Sequence, residues 1–164
     1  MSDCCITLIK IVPEDFEPFR ALTENEQVMA KITERPLTEE EARRKFDDML
    51  QNSGLDPQLG SFRVIEKESS KLVGFAKLEI TPEHREEAEL GFMLEPEFWG
   101  RGLGGEIARI LLDVARSHPR LKRVWANIDP ENAASRKILL NNGFVSEKKG
   151  VIDGLPSEIL GLSV

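Results

Sequence analysis

Apolar residues recur along this chain at two spacings, and the switches between them mark out its elements. The largely apolar run Cys5 to Val12 reads as a short first strand. Phe16, Phe19 and Leu22 then recur at helical spacing, so Pro13 to about Ile32 reads as helix, broken near Pro18 or a little later. Thr38-x-x-Glu41 is a capping box that opens a helix through about Leu50, and Gln51-Asn52-Ser53-Gly54 stops it. Ser61 to Glu66 and Leu72 to Ile80 alternate about a turn at Ser69-Ser70-Lys71, which predicts a hairpin. A polar stretch, Thr81 to Glu86, leads to a further strand, Glu87 to Leu94, ended by Pro96. Ile107, Ile110, Leu111 and Val114 line one face of a helix that runs to about Ser117. Leu121 to Ile128 reads as strand, and Asn132 to Asn142 as helix with Gly143 as its left-handed cap. Phe144 to Lys148 and Ser157 to Leu162 close the pattern around a turn at Asp153-Gly154. This order predicts one α/β (α+β) domain over residues 1–164, with a largely antiparallel sheet and one β-loop-α-β unit late in the chain.

Composition changes this picture little. The 164 residues carry 40% apolar and 31% charged side chains, ordinary for a soluble domain. No apolar run approaches the roughly 20 residues of a membrane span, and the first residues lack the pattern of a signal peptide. The expectation is a cytoplasmic protein with no membrane partner. The net charge of −7 argues against a nucleic-acid partner. Cys4 and Cys5, adjacent and without clustered His, read as reduced thiols, and no metal site is expected.

The chemistry concentrates in Phe98-Trp99-Gly100-Arg101-Gly102-Leu103-Gly104-Gly105-Glu106, with glycine at positions 100, 102, 104 and 105. Glycines at a helix start expose unpaired N–H groups and the positive end of the helix dipole, which suit a phosphate. The plain alternative is a turn that only lets strand and helix pack closely. Gly100-x-Gly102-x-x-Gly105 also matches the dinucleotide fingerprint, but its context is wrong. That fingerprint follows the first strand of a domain, whereas only about 60 residues remain here. No Gly-Lys-Ser/Thr follows, which excludes a P-loop.

Two linked motifs give a better reading. Glu95-Pro96-Glu97-Phe98-Trp99-Gly100-Arg101-Gly102-Leu103-Gly104 follows a strand and opens a helix; Asn132-Ala133-Ala134-Ser135 precedes Asn142-Gly143-Phe144. Together they resemble the GCN5-related N-acetyltransferases (the GNAT superfamily). Trp99, where the wider family has Gln or Arg, resembles the branch of ribosomal-protein N-terminal acetyltransferases. The resemblance implies an acyl-CoA N-acyltransferase fold, a mainly antiparallel sheet of about seven strands flanked by helices. It implies acetyl-CoA as cosubstrate, its pyrophosphate on the amides of Arg101, Gly102, Leu103, Gly104 and Gly105. Arg101 adds charge there or stands solvated. Phe92, Met93 and Leu94 would pair with the pantetheine arm, and the Leu94 N–H would polarise the thioester carbonyl. Asn132 would bond the arm, act as a helix cap, or both.

The implied reaction is direct attack of an amine on a thioester, on a protein N-terminal amine or a small-molecule amine. It needs a base and an acid. Glu89 is the base candidate with Glu87 behind it, or a carboxylate that holds a cationic amine; alternation could instead turn both to solvent. The chain contains no tyrosine, so Ser135 is the candidate acid. His84 and His118 read as surface residues and Trp125 as core. An exposed edge strand would permit a homodimer. The competing function is a coenzyme A-binding module with little or no turnover; a nucleotide-dependent oxidoreductase is a third.

Overall fold

Reciprocal capping at Thr38 shows local chemistry setting an element boundary. The Glu41 amide donates to the Thr38 hydroxyl at 3.2 Å, and the Thr38 amide donates to the Glu41 carboxylate at 3.0 Å. This box opens α3 (Glu39–Ser53), which runs past the expected Leu50 to a cap at Gly54. The computed structural model describes residues 5–164, so Cys4 lies outside the described residues. Before α3 stand β1 (Ile6–Lys10), a 3-10 turn at Pro13–Asp15, α1 (Phe16–Thr23) and α2 (Glu26–Met29). Pro18 does not break the first helix. It sits in the first turn of α1, where a missing N–H leaves no intrahelical bond unmade. The break comes at Glu24-Asn25, where the Asn25 side chain caps α2 by accepting from the Gln27 and Val28 amides.

The strands β2 (Gly60–Glu66), β3 (Leu72–Thr81) and β4 (His84–Leu94) form an antiparallel meander. β4 begins earlier than the hydrophobic pattern predicts, because His84 already pairs with Thr81 across a tight turn. Then follow α4 (Leu103–Ser117), β5 (Arg123–Ile128), α5 (Ala133–Asn141), β6 (Val145–Ile152) and β7 (Leu155–Ser163). Asp153 and Gly154, both at positive φ (52° and 78°), form the tight turn that pairs β6 with β7. The seven strands lie in the order β1-β2-β3-β4-β5-β7-β6. Every neighbouring pair is antiparallel except β4–β5. This is the fold expected of an acyl-CoA N-acyltransferase.

Strand alternation divides the core in two. Leu78, Leu90, Val124 and Leu160 face α4 and α5, burying Ile107, Leu111, Leu112 and Leu139. On the opposite face Phe75 and Met93 meet Phe16, Phe19 and Phe46. Phe19 stands 5.4 Å from the Phe46 ring and 5.5 Å, edge-on, from the Phe75 ring. Among the described residues no helix is long and apolar enough to cross a membrane.

Candidate active site

The one parallel pairing in the sheet is short. β4 and β5 align only over Glu87–Arg123, Ala88–Val124 and Glu89–Trp125. Beyond Glu89 the two strands part into a fork, and β4 continues to Leu94 with β3 as its ladder partner. Backbone parity fixes what faces the fork. Lys122 N–H donates to Glu86 O on the β5 side, and Glu95 N–H donates to Val73 O on the β3 side. Alternate residues share a direction, so the backbone groups of Leu90, Phe92 and Leu94 turn to the fork. Met93 turns its own to Phe75 on β3 and sends its side chain to the α1–α3 face. The Leu94 carbonyl is already satisfied, since the Trp99 indole donates to it at 2.9 Å. That leaves the Leu94 N–H as the group turned into the gap.

At the open end of the fork stands the glycine loop. Gly100 (φ 74°) and Gly102 (φ 77°) are left-handed, and Gly102 is the N-cap of α4 without a side chain to cap it. The amides of Leu103, Gly104 and Gly105 therefore open the helix, the first intrahelical bond being Glu106 N–H to Gly102 O. A Cβ added at Gly100, Gly102 or Gly105 would meet nothing within 4 Å. These positions border open space, as an anion cradle requires. Gly104 has a different reason for being glycine: its Cβ would stand 3.0 Å from the Phe92 ring and 3.1 Å from Ile138. It lets α4, β4 and α5 close on one another. Arg101 is half exposed and pairs with Glu66 at 2.5 Å.

Asn132 caps α5 by accepting from the Ser135 amide at 3.2 Å, and its side-chain NH2 has no partner among the described residues. α5 packs on the α4 face of the sheet. Ser135, on α5, and Glu89, on the pocket side, thus belong to opposite faces of the sheet. Arg136 anchors α5 by donating to Glu158 of β7 at 3.0 Å, and Glu158 is fully buried.

The α1–α3 face beside the fork holds a pocket of about 190 Å³ lined by Glu79, Thr81, His84, Glu87, Glu89 and Trp125. Glu79 lies directly across from Glu89, and Glu89 beside Trp125. Lys77 pairs with Glu89 at 3.0 Å, and Arg123 reaches Glu87 at 3.8 Å and also binds Glu147. Burial pushes the Glu79 carboxyl above its ordinary range, and the Glu89 charge adds to this; Lys77, Lys45 and a hydrogen bond from Asn52 oppose it. The Thr81 hydroxyl is buried without a partner among the described residues.

Glu89 and Glu87 are therefore together on the pocket side rather than turned to bulk solvent. Trp125 is a half-buried pocket wall, not core, because its position in β5 shares the Glu89 face. His118 is not a surface residue: it is buried, accepts from the Arg120 amide, and pairs with Asp56 at 2.9 Å, which ties the end of α4 to the loop before β2. Glu79, Lys77 and Thr81 were not legible as site residues, since only the register of β3 on β4 brings them to Glu89.

A family model described as an acetyltransferase (GNAT) domain matches residues 6–145. An uncharacterized N-acetyltransferase, p20 of Bacillus licheniformis, is 26% identical over 90% of this chain and 82% of its own. Among solved structures, spermidine N-acetyltransferase from Vibrio cholerae in complex with CoA and spermine superposes with a TM-score of 0.78. It is 19% identical, over 98% of this chain and 96% of that one. RimL, a ribosomal L7/L12 alpha-N-protein acetyltransferase in complex with coenzyme A, superposes with a TM-score of 0.79. It is 14% identical, over 99% and 96% of the two chains.

Proposed function

The chain belongs to the acetyltransferase (GNAT) family and is an acetyl-CoA-dependent N-acetyltransferase, and we propose that it acetylates a primary amine delivered from the carboxylate pocket to the β4–β5 fork. The observation that carries this reading is the meeting of the two halves of the site at Glu89. That residue is the last paired position before the strands part and also lines the pocket.

The residues present fit acetyl-CoA, which when bound supplies the acetyl group as a thioester. The amides that open α4, at Leu103, Gly104 and Gly105, with Arg101 and Gly102 before them, are the pyrophosphate donors. Phe92 and Leu94 offer backbone groups to the pantetheine arm as an added strand would. Because Met93 directs its backbone to β3, it contributes through its place in the strand rather than through its amide. The Leu94 N–H serves as oxyanion donor, and Asn132 adds its side-chain NH2. Glu79 and Glu89 receive the acceptor on one face of the sheet. Ser135 protonates the leaving thiolate from the other, so acid and base do not neutralise one another.

The acceptor is a protein N-terminal amine or a small-molecule amine. Both chemistries occur among the solved neighbours named above, one a protein N-terminal acetyltransferase and one in complex with spermine. A thiol-release screen tests the proposal. Purified protein and acetyl-CoA are offered a panel of small diamines, amino acids and peptides with free N-termini. Amine-dependent release by one class is expected. Coenzyme A binding without release across the whole panel would instead identify a binding module.

A further inference from the structure

Two carboxylates face each other in the pocket, and only one can be the group that takes the acceptor's proton. Resting on the acetyltransferase reading above, we infer that Glu79 of β3 is the proton acceptor and that Glu89 of β4 is a binding group for the incoming ammonium.

The geometry separates the two. Their side chains occupy directly opposed positions of an antiparallel pair, so the Cβ atoms stand roughly 5 Å apart. Glu89 has a fixed cation, the Lys77 ammonium at 3.0 Å. A proton arriving on Glu89 would break a charge-assisted hydrogen bond. Glu79 has no ion pair at this range among the described residues. Its hydrogen bond is from the neutral Asn52 amide of α3.

The groups around Glu79 are Glu89, Glu87 and His84 of β4, Lys77 and Thr81 of its own strand, Lys45 and Asn52 of α3, and Trp125 of β5. Burial and the Glu89 charge favour its neutral form; the two lysines and Asn52 favour the anion. The balance is a carboxylate held above its ordinary range, closer to a working base than a solvated glutamate.

The step balances as follows. The ammonium passes one proton to Glu79 and becomes a neutral amine. Its nitrogen forms a bond to the acetyl carbon, the C–S bond breaks, and the thiolate leaves with the second nitrogen proton, delivered through Ser135. Glu79 then releases its proton to solvent. The products are an amide and the free thiol.

The sign of the pH dependence follows. Glu79 must be ionised to act, so kcat/KM falls as pH drops through its raised pKa. In the full-length protein, Glu79→Gln should lower kcat/KM by about 100-fold or more and remove this acidic limb. Its melting temperature should stay near wild type, because the substitution keeps shape and polarity. Glu79→Asp should retain the limb at reduced rate. Glu89→Gln should raise the acceptor KM and keep the limb. A limb that survives in Glu79→Gln, or vanishes only in Glu89→Gln, overturns the assignment.

A second readout needs no turnover. With carbon-13 in the glutamate carboxyls, the signal lost in Glu79→Gln should titrate above the ordinary glutamate range; a signal within that range overturns the proposal. Failure of the acetyltransferase reading would show separately, as wild-type protein that releases no thiol with any amine.

Discussion

Gly102→Val should reduce coenzyme A affinity by about 100-fold while leaving a folded protein. The loss corresponds to one or two charge-assisted hydrogen bonds from the α4 amides, at about 1.5–3 kcal/mol each. Two effects contribute, and they can be separated. Gly102 is left-handed, so any L side chain there carries strain, about 1–2 kcal/mol and more for a β-branched one. Its missing Cβ also borders open space rather than protein, so a side chain would project into the cradle. Asn tolerates the left-handed region better than Val. Gly102→Asn should therefore recover most of the thermal stability yet still bind coenzyme A poorly. Isothermal titration beside thermal melts reads both quantities. Unchanged affinity in either variant would mean that the loop holds no phosphate.

Arg136→Met should destabilise the protein by about 3 kcal/mol at neutral pH, or roughly 6–12 °C in melting temperature for a chain of this size. This is the low end of the range for breaking a buried ion pair, because Arg136 keeps about a third of its side chain in water. Glu158 is enclosed, and its second oxygen has no partner among the described residues. Burial alone would raise its pKa, but hydrogen bonds from Ser146 and Arg136, and then the Arg136 charge, bring it below the ordinary range. A carboxyl depressed in the folded state contributes stability above its unfolded pKa and loses it as pH falls through the folded one. Without Arg136 only the Ser146 hydrogen bond and the Lys149 charge oppose burial, so the carboxyl pKa rises relative to wild type. The gap between wild type and Arg136→Met should therefore narrow from pH 7 to pH 4. Urea unfolding at both values checks this. The double variant Arg136→Met/Glu158→Leu should regain most of the loss, because an apolar pair leaves no buried charge. Since α5 carries Asn132 and Ser135, the single variant should also impair turnover beyond its effect on folding.

Much of this architecture is legible in residue order. The Thr38 box, the apolar stripe of α4 and the turn at Asp153-Gly154 are local signals, and each element forms where its signal lies. The glycine loop is legible too, being a contiguous stretch. What sequence conceals is whatever depends on register between distant strands. A period of two shows that Glu87 and Glu89 share a face but not which face. Glu79 reaches the pocket only because β3 folds back on β4 with Glu79 opposite Glu89. Trp125 leaves the core for the pocket because β5 aligns with β4 rather than with its chain neighbour β6. His118 looks like a loop residue until Asp56, 62 positions away, closes over it. The Arg136–Glu158 pair is hidden likewise: helix and strand are separated in the chain by all of β6.

The placement of the two tryptophans makes the protein its own optical probe. The chain has two indoles and no tyrosine, so under excitation beyond the phenylalanine band its emission arises from Trp99 and Trp125 alone. Trp99, 48% exposed, stands in the glycine loop, and Trp125 lines the carboxylate pocket. On the proposed assignment of the two sites, each fluorophore should report a different ligand. In Trp125→Phe the remaining emission should respond to coenzyme A, and in Trp99→Phe to the amine. Titrating each single-indole protein with both ligands would give the order of binding from unlabelled material, and a silent indole at either place would show that its site lies elsewhere.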